Sequence, residues 1–244
     1  MSDAFGQMVD EPDEGSRVHA RESGRSSYLP MVAAATLMLL MVVAAGMTIW
    51  NLHDRVEQET KANLARFALV ISEQTSRSFQ SVDLVLREVV DRFASEGLDG
   101  KAMQAAMTGR PMHDYLAKSV GGIEQIDNLL LIGAEGDVLN ISSSWPFPAM
   151  SLASREQFRY CRDNAKADLF VSEPVQNKLD GAWTIYLARR LVDRDGNFAG
   201  VVDAAVRLKH FEDFYRSVAL GEGGSISLIR RDGIRLVRYP RTKN

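Results

Sequence analysis

Residues 128–142 read NLLLIGAEGDVLNIS, and residues 225–239 read SISLIRRDGIRLVRY. Laid over one another, Leu131, Ile132, Glu135, Gly136 and Leu139 match Leu228, Ile229, Asp232, Gly233 and Leu236. In each copy two apolar runs flank an acidic-glycine turn, the pattern of a β-hairpin. A hairpin that recurs about one small domain further on predicts two modules of one type in tandem. The first copy is followed by a full set of further elements, whereas the second has five residues after it. The second module is therefore expected as an incomplete start.

Between the two hairpins the order of elements is legible. Ile126–Ile132 and Val138–Ser142 form the first hairpin, and Ser142–Pro148, with two prolines, reads as loop. Ser154 is a candidate N-cap for a short helix reaching about Ala165, because its hydroxyl can accept from the first free amides. Leu169–Val171 and Val175 read as short extended pieces. Trp183–Leu191 and Phe198–Val206 are expected as two longer strands joined by the turn Asp193–Gly196, where aspartate and glycine tolerate left-handed angles. Lys209–Val218 reads as a helix. A hairpin, a loop with a short helix and two longer strands describe an antiparallel sheet with one helical and one loop-covered face, a PAS-like α+β module.

Upstream, Pro30–Trp50 runs 21 residues without a charge. At about 1.5 Å per helical residue that is roughly 31 Å, the thickness of a bilayer's hydrocarbon core. Tyr28 and Trp50 stand at its ends, where aromatic rings favour the headgroup boundary. A cleaved signal peptide is the competing reading, but its apolar region is usually shorter, about 7–15 residues. Residues 28–50 are therefore expected to span a membrane, with a polar, disordered tail over 1–27. From Asn51 to Ser95 there is no Gly or Pro, and Leu52, Val56, Thr60, Leu64, Phe67, Ile71, Thr75, Phe79, Val82, Leu86, Val89 and Phe93 recur every three or four positions. That is one stripe along a long helix over 51–97, ended by Gly97 and Gly100. Such a stripe exceeds what one small domain covers, so its lower half needs a second module or the same helix of another subunit; a homodimer through the long helix is expected. Two helical segments, Lys101–Met107 and Met112–Val120, then lead to the sheet.

The net charge of −3, without a strongly basic stretch, argues against a nucleic-acid partner. Cys161 is the lone cysteine, so neither an intrachain disulfide nor a cysteine zinc site can form. The histidines, His19, His53, His113 and His210, are scattered, and neither a nucleophile elbow nor a phosphate-binding glycine loop is present. Asp193–Asn197 faintly resembles a calcium loop but lacks the later glutamate. The sequence thus predicts no catalytic residues, no metal site and no cofactor.

Three strings carry a family resemblance: SREQFRYCRDNAKADLFVSEPV (154–175), DGAWTIYLARRLVDRDGNFAGVVDAAV (180–206) and FEDFYRSVALGEGGSISLIRRDG (211–233). The motifs within them are S-R-x-x-F, G-x-W-x-I-x-x-x-R-R and D-G-x-F-A-G-V-V. In this order they resemble the double Cache (dCache) sensor family of bacterial membrane receptors, over roughly residues 30–244. The resemblance implies an inner-membrane protein with its N-terminus cytoplasmic and residues 51–244 periplasmic. It implies a membrane-distal module at 98–218, the start of a membrane-proximal one at 219–244, and a ligand-sensing input role. The output in that family is a separate cytoplasmic diguanylate cyclase, histidine kinase or chemotaxis signalling domain. A membrane-anchored interaction or structural protein without a ligand is the alternative.

In the family a small molecule sits between the sheet and its loop-plus-helix cover. The side chains expected to hold it here are Arg155, Phe158, Tyr160, Trp183, Tyr186, Arg189 and Asp203: arginine as a fork for a carboxylate, aromatic rings as walls. Trp183 and Ile185 with Leu187, and Phe158 with Cys161, read equally well as core. Amino-acid-sensing relatives carry R-x-W-Y and an aspartate closing a G-V-V-G-V-D strand that holds the ligand's amine. Here Gln157 replaces the tryptophan, and Ala205 falls where that aspartate would be, with Asp203 two positions away on the same face. The amine signature is broken, which leaves a carboxylate, another small metabolite or no ligand.

Overall fold

The computed structural model describes residues 28–166, 168–177, 180–218 and 223–241. The expected tail over 1–27 lies outside them. The first helix, α1 (Tyr28–Glu96), contributes to two compact units, one ending at Arg66 and one beginning at Phe67.

In the first unit, Tyr28–Asn51 is long and apolar enough to cross a membrane, with a mean hydropathy of 2.3 and none of its most apolar stretch buried. Thr36 and Thr48 return their hydroxyls to helix carbonyls one turn back, Thr48 to Ala44 at 2.7 Å. Each thus returns its polar group to the helix's own backbone.

The second unit is α+β. After α1 come α2 (Gly100–Met107) and α3 (Arg110–Ser119), then β1 (Ile126–Gly133), β2 (Val138–Ile141), α4 (Glu156–Asp163), β3 (Phe170–Val171), β4 (Val175–Gln176), β5 (Trp183–Val192), β6 (Phe198–Arg207) and α5 (Leu208–Ser217). Gly97 at φ 59° stops α1, and Asp99 caps α2 by accepting from the Ala102 amide. Pro111 lies in the first turn of α3 rather than before it, where a missing N–H costs nothing. The strands form one antiparallel sheet in the order β2-β1-β6-β5-β3, with β4 also on β5.

Each face of the sheet has its own core. On one side the α1 stripe from Ile71 to Phe93 packs with Met103 and Met107 of α2 and Leu116 of α3 onto Leu129, Leu131, Ile185, Leu187, Val202 and Ala204. Thr75 interrupts the apolar stripe because its hydroxyl meets that of Tyr215 from α5 inside this core. On the other side Leu130, Ile132, Val201 and Ala188 meet Leu152, Phe158 and Cys161 of the loop-and-helix cover. The α+β class and the expected pair of faces both stand.

The repeated string forms two copies of one structure. β7 (Ile226–Ile229) and β8 (Arg235–Tyr239) pair as β1 and β2 do. Ile132 faces Val138 as Ile229 faces Arg235, and both ladders bulge at the equivalent step, between Leu131 and Ile132 and between Leu228 and Ile229. The turns coincide too: Gly136 and Gly233 have φ of 91° and 92°, each donating to a carbonyl three residues back. The second hairpin, expected as the start of an incomplete module, is nevertheless packed into the unit. It is seated on α5, with Leu236 and Val237 buried in the shared core and Arg241 paired with Glu212.

Candidate functional site

The cover is held down at both ends. Its loop pairs with the first hairpin, the Val138 amide donating to Met150 and that of Leu152 to Gly136. Glycine is required at 136 twice over: for its φ of 91°, and because a Cβ would lie 2.6 Å from Ala153. Ser154 was expected to cap α4, but the cap position is Arg155 and no side chain caps it. The helix is fixed from its other end, where Arg190 of β5 donates to the Cys161 and Arg162 carbonyls at 2.8 and 2.9 Å. A cation at the C-terminus also suits the helix dipole.

Between cover and sheet lies a small cavity of about 20 Å³. Its floor is Asn128 and Leu130 of β1, Tyr186 of β5 and Ala205 of β6. These share a face because Tyr186 and Asn128 flank Ala205 in register. The cover adds Met150, Leu152, Arg155 and Gln157, and Asn177 closes one side. Arg155 is the one formally charged residue in this lining. The Asn128 amide donates to Asp127, but its carbonyl Oδ1, also buried, has no partner. A buried acceptor without a donor costs on the order of 1–3 kcal/mol, which a bound group could recover.

Asp203 lies beside this lining, in register with Leu130 and Ala188 and fully buried. Gln157 Nε2 donates to its Oδ2 at 3.2 Å, and its Oδ1 has no partner. Burial pushes the carboxyl up to about 7, against the opposing pull of Gln157 and the more distant charge of Arg155. Burial, then the Asp203 charge, pushes the Cys161 thiol and the Tyr186 phenol each up to about 12, so both stay neutral in the physiological range.

The structure brings Arg155, Tyr186 and Asp203 together and disperses the other expected residues. Phe158 is buried in the cover core, edge-on to Phe198. Tyr160 is 41% exposed and lies against Phe170. Trp183, at the start of β5, is 44% exposed. Arg189 points to the opposite face of the sheet, where it binds Asp83 of α1 at 2.6 Å and Asp168 at 2.7 Å. Burial works to raise the Asp83 carboxyl, but Arg189 and Arg87 outweigh it and hold it below the usual range. Arg189 therefore ties sheet, cover loop and long helix together without reaching the cavity. The residues that sequence reasoning passed over are Asn128, Gln157 as a hydrogen-bonding group, and Asn177. An asparagine at the head of the apolar run Leu129–Ile132 is the signal that marks Asn128; Asn177 in its loop carries none. Among the described residues no cluster of three or more His, Cys, Asp or Glu is placed to hold a metal ion.

The Cache domain family (dCache_1) matches residues 49–244. Among solved structures, the chain is similar to the extracellular domain of rpHK1S-Z16, a histidine kinase by name, with 31% identity and a TM-score of 0.58 over 68% of this chain. It is similar in fold to an extracellular ligand-binding receptor from Desulfohalobium retbaense, at 16% identity and a TM-score of 0.56 over 70% of this chain. It is similar in fold, too, to the ligand-binding domain of the Pseudomonas fluorescens chemoreceptor CtaA in complex with L-isoleucine, at 15% identity and a TM-score of 0.50 over 69% of this chain. The chain spans 65%, 30% and 63% of those three structures, less than two thirds of each. No curated protein sequence matches it.

Proposed function

This chain belongs to the Cache domain family, and from that premise we propose that its sheet module is the extracytoplasmic input of a transmembrane signalling receptor, binding a small molecule between sheet and cover. The observation that carries this reading is the cavity itself: a buried pocket with one lining cation, Arg155, and a buried acceptor, Asn128 Oδ1, left without a donor. Ordinary cores satisfy such groups. A ligand shifts a receptor by its differential affinity for two conformations. Here a ligand would change how the cover sits, and Arg189 links the cover loop at Asp168 to α1 at Asp83.

In this reading the N-terminus is cytoplasmic, Tyr28–Asn51 is the membrane anchor, and the region past Trp50 is periplasmic. A second copy is the partner along α1, where Leu64, Phe67, Leu69 and Val70 are all exposed. A histidine kinase is the output to test first, because the 31%-identical relative is one by name; a diguanylate cyclase is the alternative. Thermal-shift screening of the full chain in lipid nanodiscs, against carboxylates, amines and nucleosides, tests the sensing role. At least one compound is expected to raise Tm, and Arg155→Ala is expected to remove that rise. A complete absence of stabilising compounds favours a membrane-anchored interaction protein instead. Maleimide labelling of cysteines placed beyond Trp50 tests the topology. Cys161, buried and kept as the thiol, should not interfere.

A further inference from the structure

The charge inventory of the cavity narrows what it accepts. Arg155 supplies a cation, and no carboxylate shares the lining with it. Two carboxylates stand just outside it: Asp203 beneath Gln157, whose amide engages it, and Asp127, which accepts from the Asn128 amide and is already paired with Arg207 at 2.8 Å. An ammonium group entering here would meet amide and phenol oxygens and one arginine, with no lining anion to replace its lost hydration. An anion would meet a guanidinium fork. The unpartnered Asn128 Oδ1 calls for something further, because it accepts and cannot donate. An uncharged hydroxyl satisfies it without bringing in a second charge. Size matters as well: about 20 Å³ has room for one water-sized molecule in this conformation. A ligand larger than that must therefore project from the cavity or displace the cover.

Resting on the reading of this cavity as the ligand site, we propose that it takes a short hydroxycarboxylate, with the carboxylate on Arg155 and the hydroxyl donating to Asn128 Oδ1. Asp203 supplies an independent signature of ligand charge. The charged or titratable groups that act on it or feel it are Arg155 at the head of α4, the Cys161 thiol of α4 and the Tyr186 phenol of β5; β1 offers it Leu130. Near neutral pH Arg155 is the one charged member of that set. An anion on Arg155 weakens the support the guanidinium gives to ionised Asp203, so binding an anion takes up a proton. A bound cation would release one. Affinity for an anion must accordingly rise as pH falls through the titration of Asp203, and affinity for a cation must fall.

Three molecules of one carbon skeleton test this: L-lactate, propionate and L-alanine, which differ in bearing a hydroxyl, a hydrogen or an ammonium group. Isothermal titration calorimetry on the full chain in nanodiscs should rank lactate above propionate by about tenfold, the loss expected when a buried acceptor stays unsatisfied. Alanine should bind more weakly than lactate. Lactate should bind several-fold tighter at pH 6 than at pH 8, with proton uptake visible as a buffer-dependent heat, and Asp203→Asn should flatten that dependence. Asn128→Ala should erase the gap between lactate and propionate, and Arg155→Gln should abolish binding of both. Asn128→Asp, a near-isosteric change, should move preference from lactate toward alanine. Alanine binding as tightly as lactate in the parent chain, or binding with proton release, overturns the ligand class and leaves the cavity reading intact. Failure of all three to bind also overturns the class. Failure of the wider panel as well takes the cavity reading down with it.

Discussion

Asp203 is the residue at which sequence and environment conflict most sharply: a carboxylate on the inner face of a central strand, with one hydrogen bond and no ion pair of its own. Its carboxyl titrates near 7 in the folded chain, against 3.8 for the unperturbed group. The folded protein thus holds more protons than the unfolded one between those values, and stability falls as pH rises through that window. Three pH units correspond to roughly 4 kcal/mol. Asp203→Asn removes the titrating group. The variant's Tm is expected to stay level between pH 5 and 8 while that of the parent declines. Parallel profiles would show that Asp203 is already ionised at low pH. Residue identity alone did not disclose this, since the same aspartate on an outward-facing position would titrate normally. Its inward placement follows from a strand pairing that no local pattern specifies.

Among the elements, the central pair β1 and β6 shows most clearly how backbone geometry constrains side chains. Gly200 faces Gly133 across the ladder at φ 150°, and a Cβ there would sit 2.2 Å from the Ile132 carbonyl oxygen. The register of β6 slips beside it, where Leu191 faces Gly200 and Val192 faces Phe198. That bulge lets Ala199 face the helical core along with Val202 and Ala204. Gly200→Ala is expected to cost more than about 3 kcal/mol or to prevent folding, since the obstruction is backbone and cannot rotate away. Urea denaturation against the parent measures it, and a cost below 1 kcal/mol would mean that the two strands separate more readily than this register allows. The strands themselves were legible from their alternation and their Asp-Gly turn. The cap of α4 was not, because Arg190, which holds that helix by its carbonyl end, comes from a strand 28 residues further along the chain.

For the molecule, the consequence of the repeat is cooperative. Leu236 and Val237 of the second hairpin are buried in the core that also holds the α1 stripe and the sheet's helical face. Leu236→Ala should therefore lower the stability of that whole unit, by about 2–5 kcal/mol for a buried leucine. The effect should appear as a shifted single unfolding transition by circular dichroism. An unshifted main transition with a separate early step would mean that the hairpin unfolds alone. The chain's own residues determined the apolar 21-residue run, the long stripe, the repeated hairpin and the α+β order of elements, because each rests on periodicities or turns encoded within a few neighbouring positions. Tertiary structure alone decided the membership of the cavity. Arg155 and Tyr186 converge there with Asn128 and Gln157, and Asp203 lies just outside the lining under Gln157, while Arg189, Trp183 and Tyr160 lie elsewhere. A one-residue change of register inverts the face of every side chain on a strand, and register is settled by packing between distant segments rather than by local sequence.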